Sequence, residues 1–252
     1  MDAILSIEHV TRRFGGLVAL RDVSWSVTAG ECHAIIGPNG AGKTTLFNVV
    51  SGELTPTSGR VNLLGQPVTG LQTHEIARRG LTRTFQRNNL LFSLTTLENV
   101  RLAVQAHTAA TRRLLTPVHR LPDLEEHARA LLDRMDLADR AAVPARILSY
   151  GEQRQLEVAI ALAGRPRVLL LDEPTSGMSP AETTRMTALL DRVGRGQTVV
   201  IIEHDMDVVF ALADRITVLH LGEVIACGTP ETVRADPRVQ EVYLGTGEGL
   251  DV

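Results

Sequence analysis

The sequence predicts an α/β fold: a mainly parallel sheet carrying a phosphate-binding loop, an antiparallel β layer from the N-terminal segment, and a helical subdomain inserted in the α/β core. Three observations predict it. Gly37-Pro38-Asn39-Gly40-Ala41-Gly42-Lys43-Thr44, with Thr45 behind it, stands between an apolar run, His33 to Ile36, and a helical run from Lys43 to about Val50. Between Val168 and Leu219, strand-sized apolar runs alternate with helical ones, the pattern of a parallel sheet covered on both faces. Between about residues 89 and 163 the strand signals fade and helical ones replace them.

Taken in order, Ile4 to Val27 is strand-like with turn punctuation at Gly15-Gly16, and Val23-Ser24-Trp25-Ser26-Val27 alternates with the period of a half-buried strand. Thr28 to Glu31 reads as a turn into the buried strand before the loop. Gly59 to Leu64 is a further strand, His74 to Arg79 a short helix and Thr82 to Phe85 a short extended piece. Helices are expected over Thr96–His107, Leu124–Met135 and Gly151–Ala163, with a loop from Thr108 to Pro122, where Pro117 and Pro122 interrupt the pattern. Strand and helix then alternate through Val168–Leu171, Pro180 to about Val193, Thr198–Ile202, Met206–Ala213 and Ile216–Leu219. Leu221-Gly222-Glu223 resembles a hairpin turn, and the tail from about residue 230 to 252 reads as short helices. The whole chain, 1–252, is read as one domain.

The bulk properties narrow the function. Hydrophobic residues at 44% and charged residues at 22% are ordinary globular values. A formal charge of −3 and a pI near 6.2 give no basic field, so nucleic acid is not an expected partner. Cys32 and Cys227 do not suggest a disulfide framework, and a reduced cytosolic protein fits better. Asp2 and Glu8, without a basic stretch followed by a long apolar core, argue against a signal peptide. No apolar run approaches 18 residues, so any work at a membrane is done from the side.

The loop is a phosphate cradle by its chemistry. Gly37, Gly40 and Gly42 lack the β-carbon that would hold backbone N–H groups away from phosphate oxygens, and the following helix turns its positive end toward the same anion. Lys43 reaches for β- and γ-phosphates, and the Thr44 hydroxyl suits Mg²⁺. The cradle alone does not choose among kinases, GTPases and ATPases. A second site lies in Val168-Leu169-Leu170-Leu171-Asp172-Glu173-Pro174, an apolar strand ending in two carboxylates. Desolvated carboxylates are costly when unpaired, so their adjacency implies a use. Asp172 fits the Mg²⁺ shell, directly or through water, and Glu173 fits a general base aligning water against the γ-phosphate. Successive strand residues face opposite ways, so both serve one site only if the chain bends between them; Pro174 favours a strand end there.

Leu148-Ser149-Tyr150-Gly151-Glu152-Gln153 opens the helix leading toward that strand, and Ser149 is by itself a good helix cap. With the earlier motifs, in this order, the stretch resembles the signature of the ATP-binding-cassette (ABC) ATPases, which usually reads Leu-Ser-Gly-Gly-Gln. Tyr150 and Glu152 replace its third and fifth residues. The resemblance runs from about Leu5 to Gly228.

It implies a P-loop NTPase core and a head-to-tail dimer in which Ser149 and Gly151 of one subunit bind the γ-phosphate held in the other's cradle, formed by Gly37, Asn39, Gly40, Ala41, Gly42, Lys43, Thr44 and Thr45. Phe14 stands where the family stacks an aromatic on adenine. Gln86 matches the glutamine that touches Mg²⁺ or the attacking water, and His204 the histidine that bonds the γ-phosphate. Ser179 stands where the family often has Asp; Ser179-Pro180-Ala181-Glu182 reads instead as a capping box. The other histidines, including His74, His107, His119 and His127, show no metal spacing.

The implied cofactors are ATP and Mg²⁺. The implied partners are transmembrane permease subunits, a second ABC ATPase in a homodimer or heterodimer, and, indirectly, an extracytoplasmic solute-binding protein, with the chain peripheral on the cytoplasmic face of the inner or plasma membrane. Leu17 to Val23, Arg83 to Gln86, Leu148 to Gln155, Ile202 to Met206 and Tyr243-Leu244-Gly245 are similar to the importers of branched-chain amino acids and of related amides and urea. The alternatives are a lipopolysaccharide-export ATPase and an ABC ATPase that serves no transporter.

Overall fold

A computed structural model describes residues 3–84, 90–108 and 122–245. Two sheets organise it. The first is antiparallel, in the order β2-β1-β4-β5, from β1 (Ala3–Phe14), β2 (Leu17–Thr28), β4 (Ser58–Leu63) and β5 (Gln66–Pro67). The second runs β10-β9-β3-β8-β7-β6, from β3 (Cys32–Ile36), β6 (Leu81–Arg83), β7 (Val168–Asp172), β8 (Thr198–Ile202), β9 (Arg215–His220) and β10 (Glu223–Gly228). All its pairings are parallel except that of β10, which returns antiparallel to β9 through the expected hairpin.

The helices are α1 (Lys43–Val50), α2 (Thr73–Arg78), α3 (Thr96–Ala106), α4 (Pro122–Arg134), α5 (Tyr150–Leu162), α6 (Pro180–Gly194), α7 (Met206–Leu212), α8 (Pro230–Arg234) and α9 (Pro237–Gly245). Helix starts follow their capping residues: Thr95 with Glu98 opens α3 and Ser149 with Glu152 opens α5, each a reciprocal capping box. Most of the expected loop, Thr108 to Pro122, lies outside the described residues.

The period-2 geometry of the central strands divides the apolar interior in two. Leu169 and Leu171 of β7, Val199 and Ile201 of β8, and Ala34 and Ile36 of β3 enter a core shared with α3 to α6 and with Val239 and Tyr243 of α9. Val168, Leu170, Val200, Ile202 and Ile35 point the other way, into a core with α1 and the antiparallel layer. Leu46 and Phe47 of α1 fill it against Val23, Trp25 and Val27, the inward members of the alternating strand. A fully buried side chain of this size contributes about 2–3 kcal/mol. Helix α1 is thereby clamped between two sheets, and the loop before it is held from both ends.

Beneath the antiparallel layer His33 is fully buried. Trp25 Nε1 donates to His33 Nε2 at 2.8 Å, which leaves the ring proton on Nδ1, 2.6 Å from Glu31 Oε1. Thr28 donates its N–H and its hydroxyl to Glu31 Oε2. Burial alone would push the Glu31 carboxyl up, but the bonds from His33 and Thr28 outweigh it and hold the carboxyl at about 2. A depressed carboxyl adds stability above its unfolded value of 4.5 and loses it as pH falls toward about 2. Thermal unfolding of Glu31→Gln should therefore depend less steeply on pH across that acid window than the unsubstituted chain; equal slopes would contradict the assignment.

Candidate active site

The phosphate loop leaves β3 at Ile36 and enters α1 at Lys43. Glycine is required at two points by close backbone approach. A Cβ on Gly37, at φ 148°, would sit 2.1 Å from Leu219 O, and one on Gly42, at φ 105°, would sit 2.7 Å from Ala19 O. The β9–β10 turn grips the same loop: Gly222 N–H donates to Ala41 O at 3.0 Å while Gly222 O accepts from Arg21 N–H at 2.8 Å. Helix α1 starts at Gly42 without a side-chain cap and without an acid in its first turn, so the positive end of its dipole faces outward uncontested. The Lys43 ammonium is held inside the loop by the carbonyls of Gly37 at 2.5 Å and Pro38 at 3.1 Å.

Before this helix end lies a cleft of about 710 Å³, lined by Phe14, by Asn39, Gly40, Ala41, Gly42, Lys43, Thr44 and Thr45, and by Glu173. Gly37 sits behind it, fully buried against Leu219. Phe14 is 42% exposed, with the Arg12 guanidinium 4.5 Å from its ring centre. Leu17 and Leu221, exposed at 66% and 71%, line the same cleft. One end of the cleft thus offers apolar surface and the other backbone N–H groups and a cation.

The two carboxylates differ sharply. Asp172 is 2% exposed at the end of β7; its Oδ2 accepts from Arg83 Nη2 at 2.7 Å, and its Oδ1 is buried with no hydrogen-bond partner among the described residues. Glu173 has left the strand with φ at 47°, the left-handed region that costs a non-glycine residue about 1–2 kcal/mol. That kink is the bend between the acids that strand geometry demands: Glu173 lines the cleft and Asp172 lies in the protein beside it.

His204 follows β8, with its side chain 61% exposed and Nδ1 3.8 Å from Glu203 Oε2. It is not among the residues lining the cleft. Ser149 and Gly151 are not brought to the cradle either. They line a second cleft of about 670 Å³ with Met178, Glu182 and Arg185. The Ser149 hydroxyl accepts from Glu152 N–H at 3.3 Å, and Glu152 answers by accepting Ser149 N–H at 2.8 Å, so the plain capping role is present in the structure. Ser179 gives its N–H and hydroxyl to Glu182. Gln86 lies outside the described residues.

Two residues that sequence reasoning did not single out hold this site. Arg83, whose side chain is 6% exposed, donates to Asn48 Oδ1, Glu53 Oε1 and Asp172 Oδ2, tying the C-terminal end of α1 to the carboxylate strand. Fully buried Glu203 accepts the N–H and hydroxyl of Thr175, two residues past Glu173, at 2.9 and 2.6 Å. Burial pushes the Glu203 carboxyl up, against those hydrogen bonds. The available signal was a charged residue inside an otherwise apolar strand or at its end, since such groups are almost never buried unless paired.

Known proteins resemble this chain in sequence and fold along nearly its whole length. The family model described as ABC transporter matches residues 20–176, and one described as branched-chain amino acid ATP-binding cassette transporter matches residues 223–249. The high-affinity branched-chain amino acid transport ATP-binding protein BraF of Pseudomonas aeruginosa is 41% identical over 249 residues, covering 96% of this chain and 98% of its own. LivG of Escherichia coli, described in the same words, is 40% identical with the same coverage. The lipopolysaccharide export system ATP-binding protein LptB of Acidithiobacillus ferridurans is more distant, 34% identical over 246 residues, covering 97% of this chain and 98% of its own. The ADP conformation of MJ1267, an ATP-binding cassette of an ABC transporter, superposes with a TM-score of 0.84 at 31% identity, covering 97% of this chain and 100% of that one. A dimeric post-hydrolysis state of the cassette MJ0796, bound to ADP and Pi, gives 0.76 at 28% identity over 90% of this chain and 98% of that one. A site that opens an uncapped helix to an anion, on a fold shared along nearly the whole chain with these cassettes, places this protein in the ABC transporter family as an ATP-binding cassette.

Proposed function

We propose that the chain is the ATP-binding and ATP-hydrolysing subunit of an ABC importer for branched-chain amino acids or related amides and urea. The observation that carries the solute class is full-length identity to BraF and LivG, together with the branched-chain cassette model over residues 223–249. The lower identity to LptB makes lipopolysaccharide export the weaker reading. Among the described residues no helix is long and apolar enough to cross a membrane. In this reading the pore belongs to separate permease subunits, with this chain docked on their cytoplasmic side and a solute-binding protein supplying cargo from the other, as the kinship to branched-chain amino acid transport ATP-binding proteins suggests.

The nucleotide would lie along the cleft, its base against Phe14 and its phosphates at the helix end, where backbone N–H groups and Lys43 meet negative charge. The residues fit Mg²⁺. Asp172 Oδ1 is a buried carboxylate oxygen with no hydrogen-bond partner among the described residues, and Thr44 lines the cleft at the cradle. Both donors, carboxylate and hydroxyl, are hard oxygens, the ligand type that Mg²⁺ takes together with phosphate and water. When bound, Mg²⁺ neutralises charge developing on the β- and γ-phosphate oxygens. Glu173 would take a proton from the attacking water; the resemblance to the cassette family assigns His204 to the γ-phosphate and Gln86, which lies outside the described residues, to the metal.

One chain does not close this site, because Ser149 and Gly151 line a different cleft from the cradle. We assign them to the γ-phosphate held by a second cassette, either another copy or a different ATPase, in a nucleotide-dependent dimer. The start of α5 is also a helix N-terminus, but unlike that of α1 it is already capped by Ser149 and carries Glu152 in its first turn, so the γ-phosphate would meet it through exposed Ser149 and partly exposed Gly151.

Glu173→Gln should bind ATP and hydrolyse it about 10²–10⁴-fold more slowly, the range of general-base contributions; near-normal turnover in a phosphate-release assay would remove Glu173 from the base role. Ser149→Arg, measured by light scattering in the Glu173→Gln background, should abolish ATP-driven association while ATP affinity of the monomer stays within about two-fold. Lost monomer binding would count against the two-cleft division of labour.

A further inference from the structure

The loop from Glu173 to Ser179, which carries the proposed base into α6, is anchored on two sides. On one side Thr175 is bound by buried Glu203, the neighbour of His204, and Glu173 N–H donates to Ile202 O at 2.9 Å. On the other, the only described side chain from outside the loop that bonds Ser176 is Tyr150 of α5: its hydroxyl donates to Ser176 O at 3.1 Å. That hydroxyl in turn accepts from Arg154 Nη2 at 2.8 Å and Nε at 3.2 Å. Arg154 is itself fixed, 7% exposed and paired through Nη1 with Glu157 Oε2 at 2.8 Å. A phenol accepting from a guanidinium is polarised into a stronger donor, so the Arg154–Tyr150–Ser176 chain is cooperative. The tyrosine ring lies over Gly177, at φ 78°, where a Cβ would come within 3.4 Å of it.

From this geometry we infer that Tyr150 is a positioning residue for Glu173: its hydroxyl latches the loop behind the base to the start of α5, so that movement of the Ser149–Gly151 helix end is felt at the base of the same chain. The inference rests on the proposed two-cassette site for its functional consequence, though not for the latch itself. A carboxylate on a left-handed turn has no regular secondary structure to hold its direction, and the anchors at Thr175 and Ser176 supply it.

Tyr150→Phe removes the hydroxyl and keeps the ring over Gly177, so it tests the latch without emptying the packing. Hydrogen–deuterium exchange of the full chain should show faster exchange confined to residues 173–179, and kcat for ATP should fall about five-fold with KM unchanged, the size of one lost hydrogen bond. Unchanged exchange over 173–179 would overturn the latch, and so would a loss appearing only as a lower melting temperature with kcat intact. ATP-driven association in the Glu173→Gln background separates the two levels. If the chain carrying Glu173→Gln associates, in the presence of ATP, neither with itself nor with a second cassette ATPase, the two-cassette reading fails, while the exchange result still decides whether Tyr150 holds the loop.

Discussion

A β-strand cannot aim two consecutive side chains at one site, yet the chemistry we propose for this protein calls for two acids side by side. Strand β7 meets the constraint by ending at Asp172 and entering a left-handed turn at Glu173. The first acid stays in the protein, where Arg83 pairs with one oxygen and the other has no hydrogen-bond partner among the described residues; the second reaches the cleft. Much of the surrounding structure serves this arrangement. Arg83 and Asn48 connect the carboxylate to α1, and Glu203 and Tyr150 hold the loop that follows. A buried ion pair of this kind is weak evidence for stability, because desolvation cancels much of its attraction. Its worth lies in geometry: it fixes where Asp172 points.

The α/β core was legible because its signals are local. The glycine spacing of the loop, the five-residue apolar strands and the capping sequences at Ser149 and Ser179 each follow from the conformation of a few neighbours, and the elements lie within a few residues of where periodicity places them. Side-chain pairing across distant segments was not legible. Arg83 and Asp172 are 89 positions apart, and Glu203 meets Thr175 across 28. Nothing in either local sequence names the partner. The grip of the β9–β10 turn on the phosphate loop was equally hidden, because it is made by backbone atoms of Gly222 and Ala41.

Tyr150 illustrates how a departure from a family motif acquires meaning only in three dimensions. In the sequence it is a substitution in the third place of Leu148-Ser149-Tyr150-Gly151-Glu152, far along the chain from another departure, Ser179 in place of Asp. In the structure the tyrosine reaches the loop that Ser179 closes, and Ser179 binds Glu182, whose carboxylate lies 3.3 Å from where a Cβ of Gly151 would stand. The two departures thus meet at one junction between α5 and α6.

The central claim is that cradle and signature of one chain belong to different nucleotide sites. Mixing two inactive full-length variants tests it most directly, under conditions where the unsubstituted chain hydrolyses ATP by itself: Lys43→Ala, with a damaged cradle and an intact signature, and Ser149→Arg, with the reverse. A mixed pair holds one complete site, so the equimolar mixture should regain a substantial part of the unsubstituted activity. A mixture no more active than the sum of its two components would contradict the account.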